Sequence, residues 1–161
     1  MKSQLDILDG AHKILGELMR THPDLAPKMH EITFRLSRSR HNAGQVRRGN
    51  IINLSFLIFT DDSNFLNLRN TVTHEIAHVL SPPVRKGNRW DIHSWEWEMM
   101  HKSLGGSGNR CHTMQPAEAF QAVTYDVPCP ACGQPIKLSR IRYKRQLAGR
   151  KYRHVTCPRK I

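Results

Sequence analysis

Thr71-Val72-Thr73-His74-Glu75-Ile76-Ala77-His78-Val79-Leu80 decides how the rest of this chain is read. Inside it, His74, Glu75 and His78 spell H-E-x-x-H. Side chains four apart share one helix face, so both imidazoles can reach one ion. Glu75 then stands beside that ion, where a carboxylate can take a proton from an activated water. Val72, Ile76, Val79 and Leu80 make one apolar stripe. That favours a packed helix over a surface helix with two ordinary histidines. The stretch therefore predicts the helix of a metal-dependent hydrolase, most often a peptidase.

A catalytic zinc usually takes three protein ligands and keeps a fourth place open. His93, in His93-Ser94-Trp95-Glu96-Trp97, is the expected third ligand. A second helix packed antiparallel to the first would bring its opening turn back to the metal. Glu96 or Glu98 would complete a two-His, one-Glu site instead. On position alone, His93 also fits an exposed histidine at a helix start.

Working outward, Ser3 and Asp6 spell a capping box ahead of Leu5, Leu8, Ala11, Ile14 or Leu15, and Leu18 at helical spacing. Pro23 and Pro27 are expected to end that helix. Ile32 to Leu36 alternates like a strand. Asn42-Ala43-Gly44 and Arg47-Arg48-Gly49 look like turns, and Ile51 to Phe59 like a more buried strand. Asp61 to Asn64 offers caps for the motif helix, which Pro82-Pro83 should stop. Val84 to Trp90 is expected to be a loop. Asp91 is then expected to cap a helix through Trp95, Met99 and Leu104, ended by Gly105-Gly106. Pro116 would open a short helix through Gln121, and Val123 to Val127 reads as extended.

The 161 residues suit one domain, or one domain with a small appendage. No apolar run reaches the eighteen or so residues of a membrane span, so no membrane partner is expected. The N-terminal residues lack an apolar signal core. An intracellular location follows as the expectation, in cytoplasm or nucleoid or in a nucleus, and the chain is expected to be a monomer. In a reducing compartment the four cysteines are metal ligands or free thiols before they are disulfides.

The net charge of +12 is unevenly spread. Asp126 is the last acidic residue, and ten of the 25 Lys and Arg residues follow it, from Lys137 to Lys160. Residues 1–126 are nearly neutral. The basic stretch 127–161 therefore forms its own module, and interleaved Ile141, Tyr143, Leu147 and Tyr152 mark it as folded rather than a soluble tail. Its expected partner is a polyanion, above all nucleic acid.

Cys129-Pro130-Ala131-Cys132-Gly133 places two thiols on one tight turn. His154-Val155-Thr156-Cys157 repeats the two-residue gap. Two strand-like segments, Ile136 to Tyr143 and Arg150 to Val155, lie between. The reading is a structural zinc ribbon held by three cysteines and one histidine: Cys129, Cys132, His154 and Cys157. A redox C-x-x-C is disfavoured, because no βαβ pattern surrounds it. Cys111 beside His112 reads as a buried free thiol, with a competing metal ligand as the alternative. So small a module needs metal to fold.

These pieces in this order resemble the SprT-like family, the metallopeptidase domain shared with the Spartan proteases. The resemblance rests on an N-terminal helix, Ile51 to Ser55, the Thr71–His78 motif, and His93 through Met100. Leu104-Gly105-Gly106 and Arg110-Cys111 follow. The family pattern has a third His after a short loop and an aromatic four residues on, as His93 and Trp97 provide. Ser94 departs from the Gly that many members carry there, and His154 from the fourth Cys of many family ribbons. The resemblance implies zinc on His74, His78 and His93, with Glu75 as general base. It also implies a role in cleaving proteins crosslinked to DNA.

The expected architecture is α+β: a helix-rich zincin-like metalloprotease core with a small β-sheet, residues 1–126, plus the basic ribbon, 127–161. Two zinc ions are expected, one catalytic and one structural. The expected partners are DNA, single-stranded or distorted and bound without sequence specificity, and proteins held on it. Tyr143 and Tyr152 could stack on unpaired bases. Arg110, His112 and Tyr125 are candidates for stabilising the oxyanion. Two other readings are a nucleic-acid-binding protein with an idle or regulatory metal site, and a metal-dependent hydrolase of another substrate.

Overall fold

The computed structural model describes residues 1–48, 50–81, 83–121, 123–155 and Cys157. Expectations resting on Gly49, Pro82, Arg159 and Lys160 lie outside them. The architecture is mixed α+β, with seven helices and three small sheets among the described residues. It divides into two compact units, Met1–Phe120 and Gln121–Ile161. The division falls before the charge boundary at Asp126, because Thr124–Pro128 is a strand of the second unit.

In the first unit, α1 (Gln4–Thr21) begins at Ser3, whose capping box with Asp6 closes in both directions. Its buried face is Ile7, Ala11, Ile14, Leu15 and Leu18, while Leu5 is exposed. The expected stripe of Ala11, Ile14, Leu15 and Leu18 holds, with Leu8 packed at its edge, but it opens at Ile7 rather than Leu5. Pro27 lies within a second short helix, α2 (Ala26–Met29), where a first-turn proline forfeits no hydrogen bond.

A three-stranded sheet follows in the order β1-β3-β2: β1 (Thr33–Ser37), β2 (Gly44–Arg47) and β3 (Ile51–Ser55). β1 runs parallel to β3, and β2 antiparallel to it. The chain turns from β2 into β3 through Asn50, at φ 57°, a left-handed conformation that asparagine tolerates. Gly44 opens β2 rather than forming a turn. The strand read as far as Phe59 ends at Ser55, whose hydroxyl accepts from Ile58 N–H and starts α3 (Phe56–Phe59). Asp61 caps a separate turn, α4 (Asp62–Phe65), not the motif helix.

The motif helix, α5 (Leu68–Leu80), is central. Its buried residues include Leu68, Val72, Ile76, Ala77 and Leu80, in one core with α1, β1, β3 and α3. The loop expected after it is instead a hairpin, β4 (Val84–Lys86) with β5 (Arg89–Asp91). Ser94, not Asp91, caps α6 (Trp95–Ser103), accepting from Trp97 N–H. Asp91 accepts from His93 N–H and so sets the turn ahead of the cap. Trp95 and Met99 face outward, and Trp97 and His101 are the buried residues of α6. Gly105, at φ 79°, ends it. The helix expected from Pro116 is one 3-10 turn, Glu118–Phe120.

In the second unit, β6 (Thr124–Pro128) pairs antiparallel with β7 (Pro135–Ser139), so Cys129 and Cys132 lie on the connecting turn. The segment read as strand to Tyr143 bends at Ser139 into α7 (Arg140–Leu147). The strand expected over 150–155 is irregular chain among the described residues. Arg, Lys, Gln and Leu after Ser139 are good helix formers, and β6 ends its pairing with β7 there. Tyr143 stacks on Tyr125, with ring centroids 4.3 Å apart and planes within 3°. One face of the Tyr143 ring is therefore already covered. Among the described residues no helix is long and apolar enough to cross a membrane.

Candidate metal centre

Helical periodicity puts His74 and His78 on one face of α5, and the Asp91–Ser94 turn brings His93 to them. The three Nε2 atoms converge: His74 to His78 is 3.2 Å, His78 to His93 3.1 Å and His93 to His74 3.3 Å. Tetrahedral ligands on arms of ~2.0–2.1 Å stand roughly 3.3 Å apart, so the triangle fits a zinc-sized ion. Glu96 and Glu98 are not part of this cluster; Glu98 instead binds Lys102.

Trp97 is the floor of the triad. It is fully buried, with ring centroids 4.7, 5.3 and 4.5 Å from those of His74, His78 and His93. Its indole N–H donates to the His74 carbonyl. Behind it lies His101, 0% exposed, whose ring edge meets His74 and whose Nε2 contacts the Asn70 carbonyl at 3.3 Å. His101 Nδ1 has no partner among the described residues.

Burial and the neighbouring imidazoles push His74 down to about 3 and His78 to about 4; burial and Arg110 also lower His93. Neutral imidazoles with free lone pairs are the metal-binding form. The chemistry of the donor set and its geometry agree.

Glu75 shares with His74 a cavity of about 310 Å³, lined also by Asn70, Thr71, Gly44, Asn109 and Arg110, with Cys111 and His112 on the same wall. It is 6% exposed. Burial pushes its carboxyl up to about 7, and the Val46 backbone draws it back. The cavity wall is held in place by backbone contacts. His112 Nε2 accepts from Ala43 N–H at 3.1 Å, and Asn70 Oδ1 accepts from Ser107 N–H at 2.8 Å. Asn109 lines the same cavity as His74. Sequence spacing does not assign Gly44, Asn70, Asn109 or His101 to the site. Their roles come from contacts across the fold and have no local signal.

The second cluster joins Cys129, Cys132, His154 and Cys157, whose ligand atoms lie within 4.8 Å of one another. Cys129 Sγ is 3.8 Å from Cys157 Sγ, and Cys132 Sγ is 3.5 Å from His154 Nδ1. These spacings suit tetrahedral arms of roughly 2.3 Å to sulfur and 2.0 Å to nitrogen. His154 Nε2 donates to the Pro135 carbonyl at 3.1 Å, which leaves Nδ1 for the cluster. Burial would raise the Cys129 thiol, but the backbone amides of His154, Ala131 and Cys132 outweigh it and lower it, while the bond to Cys132 and burial push its neighbour Cys157 up, so the pair gives up its first proton at Cys129. Thiolate character of this kind is what a metal selects. Cys111 stays outside this cluster and is an exposed thiol, not the buried one expected, because it lies on irregular chain after α6.

The chain is similar to Protein SprT of Pseudomonas putida, at 26% identity over 129 residues, covering 79% of this chain and 76% of the relative. It is also similar to Protein SprT of Pseudomonas entomophila, at 24% identity over 124 residues, covering 76% and 73%. No family model and no solved structure matches the chain.

Proposed function

We propose, from the premise that this chain belongs to the SprT-like family, that it is a zinc-dependent peptidase acting on proteins held on or crosslinked to DNA. The observation that carries the reading is the convergence of His74, His78 and His93 beside a buried Glu75. A pure binding module has no use for a carboxylate raised by burial next to a metal triad.

His74, His78 and His93 would hold the catalytic ion, and Cys129, Cys132, His154 and Cys157 the structural one. Zinc at the triad supplies the Lewis acidity that activates water and polarises a peptide carbonyl. Glu75 accepts the proton that water loses as its oxygen bonds the carbonyl carbon. The same carboxyl returns that proton to the nitrogen as the C–N bond breaks. Trp97 fixes the imidazole orientations from below. The cavity beside Glu75 receives the scissile peptide. On this reading the first unit is a zincin-like core and the second a basic zinc ribbon.

The basic second unit supports the DNA part of the reading. Its cations would hold the enzyme on phosphates and raise the local concentration of bound protein substrates. The test is incubation with a DNA-binding protein, with and without DNA, comparing Glu75→Gln with the parent. Cleavage by the parent alone, faster with DNA, is expected. Equal behaviour of the two would favour a binding protein whose metal site is idle or regulatory.

A further inference from the structure

Addition of water to a carbonyl moves the π pair onto the carbonyl oxygen, and a preorganised donor aimed at that oxygen is commonly worth a large rate factor. Arg110 lines the same cavity as His74 and Glu75, and among the described residues it is the only Arg or Lys in that lining. Among the described residues no carboxylate lies within ion-pair distance of its guanidinium. His41 and His112 also line this cavity, and His112 has its Nε2 occupied in accepting from Ala43 N–H. That bond fixes a lone pair on the nitrogen and ties the ring to the start of β2. The third sequence candidate, Tyr125, is stacked on Tyr143 in the second unit. Arg110 also stands within electrostatic reach of the triad: after burial, its charge is the next largest influence lowering the His93 imidazole.

We infer that Arg110 is a catalytic residue, its guanidinium donating to the carbonyl oxygen as that oxygen becomes an oxyanion. The inference rests on the peptidase reading and deepens it. Water oxygen bonds the carbonyl carbon, its proton goes to Glu75, and the displaced π pair is held by Arg110 N–H groups. When the C=O bond re-forms, the C–N pair leaves with nitrogen, which takes the proton from Glu75. The guanidinium keeps its own protons throughout, since its pKa is far above the working range.

The test uses the zinc-loaded full chain as parent, Arg110→Ala, Arg110→Lys and Glu75→Gln. Two readings are taken: steady-state cleavage of a quenched fluorescent peptide, and calorimetric titration with a dipeptide phosphonate, which mimics the tetrahedral anion. Arg110→Ala should lower kcat by about a hundredfold to a thousandfold with KM little changed. It should weaken phosphonate binding by roughly tenfold or more, with zinc content and Tm as in the parent. Arg110→Lys should restore part of the phosphonate binding, as a point charge without the fork. Unchanged kcat, a rise in KM alone, or phosphonate binding equal to the parent's overturns the assignment. So does a parent that binds no phosphonate. If the parent cleaves nothing, the peptidase reading fails, and the phosphonate comparison still decides whether Arg110 is an anion-binding group. If Arg110→Ala loses zinc or unfolds, Arg110→Lys against Arg110→Gln decides on the same readings.

Discussion

Gly44 lies against the Glu75 side chain: a Cβ there would stand 2.7 Å from both Glu75 Cγ and Oε1, and 2.8 Å from Thr71 Cγ2. The first residue of an edge strand therefore sets where the buried carboxylate can sit. Gly44→Ala should push the carboxylate off its position while leaving all three imidazoles untouched. A misplacement of about 1 Å can cost on the order of a hundredfold in rate. The expected result is a fall in kcat of that order with both zinc ions retained and about 1–3 kcal/mol lost in stability from overpacking. Metal analysis, a denaturation curve and peptide cleavage measured on one preparation check it. Full activity in Gly44→Ala would show that the carboxylate has freedom this packing denies.

Glu75→Gln removes the proton acceptor and none of the ligands. Cleavage should fall by roughly a hundredfold or more while both zinc ions stay bound. Parent-like turnover would remove Glu75 from the role of base.

Burial also gives Glu75 a signature in the metal-free protein. Its folded value of about 7 lies above the ordinary 4.5, so the folded state holds the proton more tightly. Its stabilising share is complete below about pH 4.5 and is lost as pH rises through 7, a difference of roughly 3 kcal/mol at most. His74 and His78 act in the opposite sense. Their folded values, about 3 and 4, lie below 6.5, so stability is lost as pH falls below 6.5. Chelated parent and Glu75→Gln should therefore differ in stability most at the alkaline end, with the Gln form more stable there. Urea midpoints from about pH 4 to 8 measure this, and parallel curves would contradict it.

How much of this was legible beforehand differs between the two clusters and their surroundings. His74 and His78 follow from helical spacing alone, and the Cys129–Cys132 turn from its spelling. His93 needed an antiparallel return of the chain, which α6 makes. Gly44, Asn70 and His101 could not be found, because each acts on the site through a neighbour distant in sequence. Misread elements have local causes. Asp91 and Ser94 are both good caps three residues apart, and only the hydrogen bond to Trp97 N–H chooses between them. Ile136 to Ser139 and Arg140 to Tyr143 each alternate, but the phase slips between Ser139 and Arg140, and only the part as far as Ser139 has a partner strand in β6.

The two metal clusters should release their ions in a fixed order. The histidine triad offers three protein ligands and an open position, while the cluster of three cysteines and one histidine offers four. A chelator should thus remove one zinc quickly, with loss of cleavage, and the second slowly, with unfolding of the second unit. His93→Ala should weaken only the first. Zinc release followed with a colorimetric chelator, alongside circular dichroism, checks this; a single phase releasing both ions would contradict it.

The DNA contacts are expected on the second unit, and α7 carries the densest part of its charge: Arg140, Arg142, Lys144 and Arg145 within eight residues. Replacing these four by Gln in the full chain leaves both clusters and the β6–β7 hairpin intact. The Tyr125–Tyr143 stack should persist as well, since neither ring is changed. Each phosphate contact contributes ~0.7 to the slope of log affinity against log salt on single strands and ~0.9 on duplex. If all four α7 cations meet phosphates, the quadruple variant should bind more weakly at low salt with a slope shallower by about three units on single strands and nearer four on duplex, and with little change in sequence preference. Tyr143 already has one face covered, so base stacking would have to use its other face or Tyr152. A preference for single strands should therefore respond to Tyr152→Ala, while the salt slope does not. Fluorescence anisotropy on a labelled single strand and duplex, across a salt series, separates the two effects. An unchanged slope in the quadruple variant would place the contacts elsewhere, with Arg85, Lys86 and Arg89 of the β4–β5 hairpin the next cations to replace.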